Sequence, residues 1–254
     1  MTTFHPDRPE TVFTYGAPGL KFGIGARHEL SHDLLQYAVQ RVLVVTDPGV
    51  SATGAPDEIA ESLRAAGIGP VVFARSRVEP TDASLIEAID DARSEGPFDA
   101  IVAVGGGSSI DTAKAVNLLS TNDGELMDYV NAPVGSAMAP TKPLLPLIAV
   151  PTTTGTGSES TTICVLDVVS QHVKTGISHP RLRPTLAVVD PELTLSQPAG
   201  VTAAAGLDIL RVINADDKQQ AFLFRRRHDP VHSGEKNFIG RQRIAVQPGV
   251  QIGR

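Results

Sequence analysis

A glycine-rich turn is the first segment whose residue types could do chemistry. The apolar run DAIVAV leads into Gly105, Gly106, Gly107 and Ser108, and a helical pattern follows over 108–120. Glycines let the backbone approach a phosphate closely, and the N–H groups and positive end of a helix favour its negative charge. The pattern therefore predicts phosphate binding. The alternative interpretation, which composition leaves open, is a tight connection without a ligand.

The spacing of this turn excludes two familiar phosphate motifs. Ile110 replaces the third glycine of the dinucleotide fingerprint G-x-G-x-x-G, and no Gly-Lys-Ser/Thr follows as in a Walker loop. Ser108 is of a type that caps helices, and Asp111 follows three residues later. We therefore predict that Ser108 caps the helix and that Asp111 completes a capping-box-like pair.

A second loop of similar character follows a later apolar run. PLIAV leads into PTTTGTGSE over 151–159, which includes Thr152 and Thr153. Its hydroxyl groups and bare backbone suit phosphate oxygens or a nicotinamide amide. A solvated Ser/Thr turn has the same composition, so this alternative also stays open. Two such loops after two strands favour a shared binding site.

Two charged residues are further candidates. Asp47 ends the apolar run RVLVVTD, where its carboxylate could accept a hydrogen bond from a ribose hydroxyl and would repel a 2′-phosphate. A helix or turn cap is an equal alternative for Asp47. Lys174 lies in HVKTGIS and could neutralise a phosphate or donate to a ribose, although most single lysines are solvated surface charges.

Short apolar runs alternate with helical patterns along most of the chain, and this order would position the candidate residues. Runs typical of strands are at 41–47, 70–74, 99–107 and 186–193; helical patterns are at 57–67, 82–96 and 108–120; and a hairpin is at 162–169 and 172–178. This alternation predicts an α/β fold with a mostly parallel, Rossmann-like sheet. An apolar share of 41 % is sufficient for a sizeable core.

Composition excludes several classes of protein. Aromatic residues are 4 % of the chain and Trp is absent, which argues against nucleic-acid stacking platforms. Cys164 is the single cysteine, so neither an internal disulfide nor a cysteine metal cluster is expected. The first residues lack a signal-peptide pattern, and no apolar run approaches the length of a membrane span. We expect a cytoplasmic protein with no membrane and no nucleic-acid partner.

The charge changes sign near residue 210. Residues 1–210 contain 13 Lys and Arg against 24 Asp and Glu, whereas residues 211–254 contain 9 against 4. The final segment keeps no helical or strand period and is predicted to be a basic, disordered tail. A nucleic-acid-binding arm at RRRH (225–228) is an alternative, but the run is short and its surroundings are mixed in charge.

Several long motifs together resemble one family. The chain resembles the iron-containing, or group III, alcohol dehydrogenases in four segments: GGGSSIDTAKAVNLL, PLIAVPTTTGTGSE, the lysine of HVKTGIS, and PTLAVVDPELT followed by GLD. RVEPTDASLIEAI and MDYVNAPVG are most similar to the hydroxyacid–oxoacid transhydrogenases within that family. The resemblance covers about residues 12–210. It implies an α/β dinucleotide-binding domain of the dehydroquinate synthase-like kind over 1–200, followed by an all-helical domain.

The resemblance also implies a set of cofactor-binding residues. The family's pyrophosphate loop matches Gly105, Gly106, Gly107 and Ser108, and Asp111 belongs to the same motif. Its second cofactor loop matches Thr152 and Thr153. Its cofactor-contacting lysine matches Lys174, and its ribose-side acid matches Asp47. The implied cofactor is NAD or NADP, and Asp47 favours NAD. Glu79 stands where many members have an asparagine beside the cofactor.

The implied divalent metal, iron or zinc, has an incomplete set of ligands in this sequence. The family holds the metal with an Asp, a His four residues later, and two histidines of the helical domain. Asp208 matches the Asp, but Val212 occupies the His position. His228 and His232 have the same spacing, but Pro230 between them disfavours a helix.

These features lead to two expectations about function. The first is an NAD(P)- and metal-dependent oxidoreductase acting on the CH–OH group of a small alcohol or hydroxy acid, which resembles a hydroxyacid–oxoacid transhydrogenase and associates as a homodimer. Only the start of its helical domain, over 201–210, is expected, with a foreign sequence over 211–254 that a shifted reading frame or an alternative end would explain. The alternative is a non-catalytic, NAD(H)-binding remnant of such an enzyme.

Overall fold

A computed structural model describes the backbone of residues 16–213 and the side chains as far as residue 209. Its strands are β1 (Gly19–Phe22), β2 (Arg41–Val45), β3 (Gly69–Phe73), β4 (Ala100–Gly105), β5 (Leu147–Pro151), β6 (Ile163–Val168), β7 (Val173–Ser178) and β8 (Leu186–Val189). Its α-helices are α1 (Leu30–Leu35), α2 (Pro48–Ser51), α3 (Ala55–Ala65), α4 (Asp82–Glu95), α5 (Gly107–Thr121), α6 (Leu126–Tyr129) and α7 (Ala199–Ile213). Short 3₁₀ turns cover Ala26–Glu29, Val169–Gln171, Pro180–Leu182 and Pro191–Thr194.

Six strands form one parallel sheet, and the other two form a separate antiparallel hairpin. The order in the sheet is β1-β8-β5-β4-β2-β3, and every neighbouring pair is parallel. The hairpin pairs β6 with β7. The predicted α/β fold with a mostly parallel, Rossmann-like sheet is therefore confirmed, and the hairpin lies where its two apolar runs predicted it.

Helices cover both faces of the sheet, which explains the continuous apolar runs in the sequence. Leu43 and Val45 of β2 face the core that contains α4 and α5, whereas Val42 and Val44 face a second core that contains α1 and α3. All residues of β4 are buried. A strand covered on both faces needs apolar residues at every position rather than at alternate ones.

The order of the strands places a crevice at the carboxyl ends of β2 and β4. From β2 the chain first adds β3 on one side and then crosses to β4 on the other side. In open α/β sheets, ligands bind at such a reversal, outside the carboxyl ends of the strands. Asp47 follows β2 and the glycine turn follows β4, so the fold brings the two candidate segments to this crevice.

Some element boundaries differ from the sequence prediction. The strand predicted over 41–47 ends at Val45, since Thr46 and Asp47 lead into the short helix α2. The helix predicted over 57–67 covers Ala55–Ala65. Sequence periodicity also missed β1, α1, α2 and α6, which have four to six residues each and are too short to show a period.

The end of the chain is only partly described. The helix α7 contains the whole of the segment 201–210 that was predicted to begin the helical domain. The domain boundaries themselves stay a prediction. The predicted disordered tail over 211–254, with His228, His232 and the RRRH run, lies outside the described residues apart from the last turn of α7. Within residues 16–213, no helix is both long and apolar enough to cross a membrane.

A buried carboxylate fixes the segment that follows β8. The Asp190 side chain is 0 % exposed, and its Oδ2 accepts a hydrogen bond from Nη1 of Arg27 at 2.6 Å. Its Oδ1 accepts from the backbone N–H of Glu192 at 3.1 Å. Burial by itself raises the pKa of Asp190, but the hydrogen bonds from Arg27 and from backbone N–H groups together bring that pKa below its usual value.

We expect Asp190→Asn to lower the free energy of unfolding by about 3 kcal/mol at neutral pH, because Arg27 loses a buried partner. The folded-state pKa of Asp190 is depressed, so its stabilisation is complete above the unfolded pKa of about 4 and is lost as the pH falls through the folded value. Urea denaturation at a series of pH values should therefore show the two proteins converging in acid. Glu192→Gln is the control, since this exposed partner of Arg27 should change stability by less than about 1 kcal/mol.

Candidate functional site

A pocket of about 410 Å³ lies at the crevice beside β2 and β4. This volume is within the range of about 300–1,000 Å³ that is usual for small-molecule sites. The segments after five neighbouring strands, β8, β5, β4, β2 and β3, contribute to its walls. The lining residues are Asp47, Gly49, Val50, Thr53, Val78, Gly106, Gly107, Ser108, Ser109, Thr152, Thr153, Thr156, Ser196, Gln197, Pro198 and Val201.

The glycines of the β4–α5 turn are needed because the β5 loop lies against them. A Cβ on Gly106 would be 3.2 Å from Oγ1 of Thr153, and one on Gly107 would be 3.0 Å from Oγ of Ser158. A Cβ on Gly105 would be 2.6 Å from Oγ of Ser109. These distances show a tight connection, and the predicted binding of a phosphate at this turn stays a prediction.

The first turn of α5 presents backbone donors toward the pocket. The N-cap residue is Gly106, and it makes no side-chain capping hydrogen bond. The predicted cap at Ser108 is therefore wrong: Ser108 lies inside the helix, where its hydroxyl accepts a hydrogen bond from the N–H of Glu79 at 3.2 Å. A glycine can begin the helix without a side-chain cap, and this leaves N–H groups of the first turn available to an anion.

Asp47 is held in a fixed orientation at the edge of the pocket. Its Oδ1 accepts hydrogen bonds from the N–H groups of Gly49 at 2.9 Å and Val50 at 3.0 Å, so Asp47 is the N-cap of α2. Its Oδ2 accepts from the hydroxyl of Ser109 at 3.0 Å. The cap interpretation is confirmed. The ribose interpretation stays a prediction, and a carboxylate oxygen can accept a second hydrogen bond beside the one from Ser109.

The threonines of the second loop lie next to the glycine turn. The N–H of Thr152 donates to the carbonyl of Gly105 at 3.0 Å, which continues the pairing between β4 and β5. Thr152 is buried, and Thr153 lines the pocket against Gly106. The hydroxyl of Thr156 accepts a hydrogen bond from the N–H of Ser158 at 3.3 Å, which shapes the far side of the loop.

Asp111 does not face the pocket and does not cap α5. It is buried against Lys114, whose Nζ lies 3.4 Å from Asp111 Oδ1, and its Oδ2 accepts from the N–H of Val165 at 3.0 Å. Lys114 is 0 % exposed and also donates to Thr161 and to the carbonyl of Ile163. Burial lowers the pKa of Lys114 and raises that of Asp111. This pair joins α5 to the β6–β7 hairpin.

Lys174 lies outside the pocket lining, on the exposed face of the hairpin. Its Nζ is 3.4 Å from Oε1 of Glu79, and both side chains are more than half exposed. Glu79 adopts a positive φ of 54° and is linked to the glycine turn through Ser108. The predicted contact of Lys174 with a cofactor stays a prediction, and the described structure gives Lys174 an acidic partner instead.

The residues predicted to hold a metal do not form a metal site in the described structure. Asp208 is exposed on α7. Val212 follows residue 209, the last residue whose side chain is described. Among the described residues, no group of three or more His, Cys, Asp or Glu side chains could hold an ion. Structural and catalytic zinc sites normally have at least three protein ligands, so the described residues do not fit a bound metal.

Sequence reasoning missed part of the pocket. Ser109 and Thr156 lie within motifs that the sequence singled out, but their own types gave no separate signal. Ser196, Gln197 and Pro198 follow β8, and the rule that ligands lie beyond the carboxyl ends of parallel strands could have indicated this segment.

A crevice at the strand reversal, beside an uncapped helix N-terminus and a glycine turn, is typical of the ligand-binding edge of open α/β domains. Comparison with known families gives a more specific answer. The family model described as iron-containing alcohol dehydrogenase matches residues 18–191, which is more than half of the chain. The chain therefore belongs to the iron-containing alcohol dehydrogenase family, as its motifs predicted.

Individual relatives agree with this assignment. A Bos taurus protein named mitochondrial hydroxyacid-oxoacid transhydrogenase is 44 % identical over 200 residues, which are 78 % of this chain and 43 % of the relative. A Bacillus methanolicus NAD-dependent methanol dehydrogenase is 39 % identical over 193 residues, covering 76 % and 49 %. The chain thus spans about half the length, or less, of these curated relatives.

Solved structures show the same partial coverage. A crystal structure of 1,3-propanediol oxidoreductase superposes with a TM-score of 0.70 at 35 % identity, over 78 % of this chain and 50 % of that one. Sulfoacetaldehyde reductase from Bifidobacterium kashiwanohense, in complex with NAD⁺, gives a TM-score of 0.69 at 29 % identity, over 79 % and 52 %. The names of these relatives are those of oxidoreductases.

We expect Lys114→Met to lower the free energy of unfolding by about 3–5 kcal/mol, since it leaves Asp111 buried without its cation. The double variant Asp111→Asn/Lys114→Met removes both charges and should lose less stability than Lys114→Met alone. Chemical denaturation of the wild-type protein, Lys114→Met, Asp111→Asn and the double variant measures these losses. A double variant that loses the sum of the two single losses would contradict the pairing.

Proposed function

We propose that this chain binds NAD(H) and belongs to an oxidoreductase acting on the CH–OH group of a small alcohol or hydroxy acid. The observation that carries the proposal is the single pocket lined by Asp47, the glycine turn and the Thr152–Thr153 loop. Of the nine predicted cofactor residues, the six that line this pocket are Asp47, Gly106, Gly107, Ser108, Thr152 and Thr153.

The first turn of α5 is suited to the pyrophosphate. Its N–H groups have no side-chain cap, and the positive end of a 15-residue helix stabilises negative charge. The absence of Cβ atoms at Gly106 and Gly107 leaves the backbone accessible. Described lining residues include no Lys, Arg or His, so backbone donors and hydroxyl groups would carry this contact.

Asp47 is suited to a ribose and discriminates between the two dinucleotides. Its Oδ2 already accepts from Ser109, which fixes the carboxylate and leaves acceptor capacity for a ribose hydroxyl. A 2′-phosphate at that position would meet a negative charge. This geometry favours NAD over NADP. A bound dinucleotide would supply the hydride-accepting nicotinamide, whereas the protein supplies binding and orientation.

The substrate class in this proposal comes from the relatives. Two of the relatives are named hydroxyacid-oxoacid transhydrogenase and NAD-dependent methanol dehydrogenase, and both names refer to small molecules with a hydroxyl group. Several carry the word mitochondrial, so the predicted cytoplasmic location stays untested. The predicted homodimer also stays a prediction.

A second candidate function is a non-catalytic NAD(H)-binding protein. It is favoured by the valine at position 212 and by Asp208, which is exposed and belongs to no group of three or more potential metal ligands among the described residues. Both candidates predict NAD(H) binding, and they differ in turnover. The two candidates are separated by metal analysis of the purified full chain together with an NADH-linked assay on small 2-hydroxy acids and alcohols. Turnover that is abolished in Asp208→Ala supports the enzyme. Binding of NAD(H) without turnover supports the second candidate.

We expect Asp47→Asn to shift the ratio of NADPH to NADH affinity by about tenfold toward NADPH, because the variant removes a negative charge beside the ribose. Asparagine can still cap α2, so the fold should remain intact. Isothermal titration calorimetry with both dinucleotides measures the ratio. Asp57→Asn, on the exposed face of α3, is the matched control. An unchanged ratio in Asp47→Asn would show that Asp47 does not face the ribose.

A further inference from the structure

An open depression of about 320 Å³ lies at the amino ends of β5 and β8, at the edge of the sheet opposite to the pocket with the glycine turn. It is lined by residues 143–146, which precede β5, and by Arg181, Arg183 and Thr185, which precede β8. Its volume is at the lower end of the range of about 300–1,000 Å³ that is usual for small-molecule sites. The depression therefore has room for a small ligand.

The polar lining residues before β8 lie on one side of the chain. Exposed and buried residues alternate over 181–185: Leu182 and Pro184 are buried, whereas Arg181, Arg183 and Thr185 are exposed or half-buried. The two buried residues pack inward and hold the segment in place. The three residues beside them are left on the outer side, and all three line the depression.

Both arginines are fixed by backbone carbonyls and keep further donors. Nη1 of Arg181 donates to the carbonyls of Pro140 at 2.9 Å and Lys142 at 3.0 Å. Nε of Arg183 donates to the carbonyl of Ser160 at 3.2 Å. A guanidinium group has five N–H donors, so these contacts orient both side chains without using all of their donors.

The positive charge of this depression has no acidic partner among the described residues. Arginine forms ion pairs there at Arg27 and Arg75, but not at Arg181 or Arg183. The lining contains no Asp or Glu, although residues 1–210 contain 24 acidic against 13 basic residues. Burial and the neighbouring charge of Arg181 both lower the pKa of His179, as expected for a locally positive potential.

This combination of groups is suited to a small dianion. Guanidinium groups bind carboxylate and phosphate oxygens through charge-assisted hydrogen bonds, which are about twice as strong as neutral ones. Thr185 adds a hydroxyl group, whose oxygen already accepts from the N–H of Leu147 at 3.3 Å and whose proton can therefore be donated. The prolines and leucines of 143–146 supply an apolar wall beside these donors.

We propose that Arg181, Arg183 and Thr185 form a binding site for a small dianion, with both guanidinium groups and the hydroxyl group donating to its oxygens. A phosphate group and a dicarboxylate share this chemistry, and the experiment distinguishes them. The inference does not depend on the proposed NAD(H) binding, because the linings of the two sites have no residue in common.

The test is isothermal titration calorimetry of the full chain at low ionic strength, with inorganic phosphate in one arm and succinate in the other. Saturating NADH is present in both arms, because phosphate could also occupy the first turn of α5. We expect saturable binding, and the anion that binds more tightly identifies the source. Arg181→Gln and Arg183→Gln should each weaken this binding about tenfold, because each removes a charge-assisted hydrogen bond. Arg64→Gln, on the exposed side of α3, removes the same charge and should change the affinity less than about twofold.

Arg183→Lys separates binding from a structural role. Lysine keeps the charge, but like glutamine it lacks the Nε–H that donates to the carbonyl of Ser160. A purely structural effect would therefore be equal in Arg183→Lys and Arg183→Gln, whereas an anion site predicts binding at least about threefold tighter in Arg183→Lys. Equal losses in these two variants would overturn the inference, as would a tenfold loss in Arg64→Gln or the absence of saturable binding of either anion.

Discussion

The close packing of two loops at the end of the central strands determines how the pocket is built. β4 and β5 are neighbours, and their carboxyl ends run directly into the glycine turn and the threonine loop. A Cβ on Gly106 would lie 3.2 Å from Thr153 and one on Gly107 would lie 3.0 Å from Ser158, so a side chain at either position would require these neighbours to shift by a few tenths of an ångström. The same lack of side chains exposes the N-terminus of α5. One constraint therefore serves both the packing of the loops and the presentation of backbone donors.

Two buried ionic contacts hold the walls around this turn. Lys114 and Asp111 tie α5 to the hairpin, and Arg27 and Asp190 tie the first described segment to the end of β8. In each contact a buried charge is matched by an opposite charge and by backbone groups, so that removing one partner leaves the other uncompensated. They stabilise elements from distant parts of the chain, and the pocket wall formed by Gln197 follows one of them.

Residue pattern predicted much of this arrangement, and the reasons are physical. Strands buried on both faces, such as β4, are continuous apolar runs, and their carboxyl ends can be read from the glycines and threonines that follow. Long-range contacts could not be predicted in this way. The sequence could not show that Asp111 pairs with Lys114 inside the core rather than capping α5, or that Ser109 orients Asp47, because these contacts depend on packing between elements.

The central claim is that the first turn of α5 and the neighbouring threonine loop hold the dinucleotide. The measurement that tests it most directly is hydrogen–deuterium exchange of the full chain with and without NADH. Backbone amides that lack a helical partner exchange readily until a ligand accepts from them. NADH should therefore slow exchange in peptides covering 105–109 and 152–158, with little change in α4. NADH binding that leaves exchange in both segments unchanged would contradict this account.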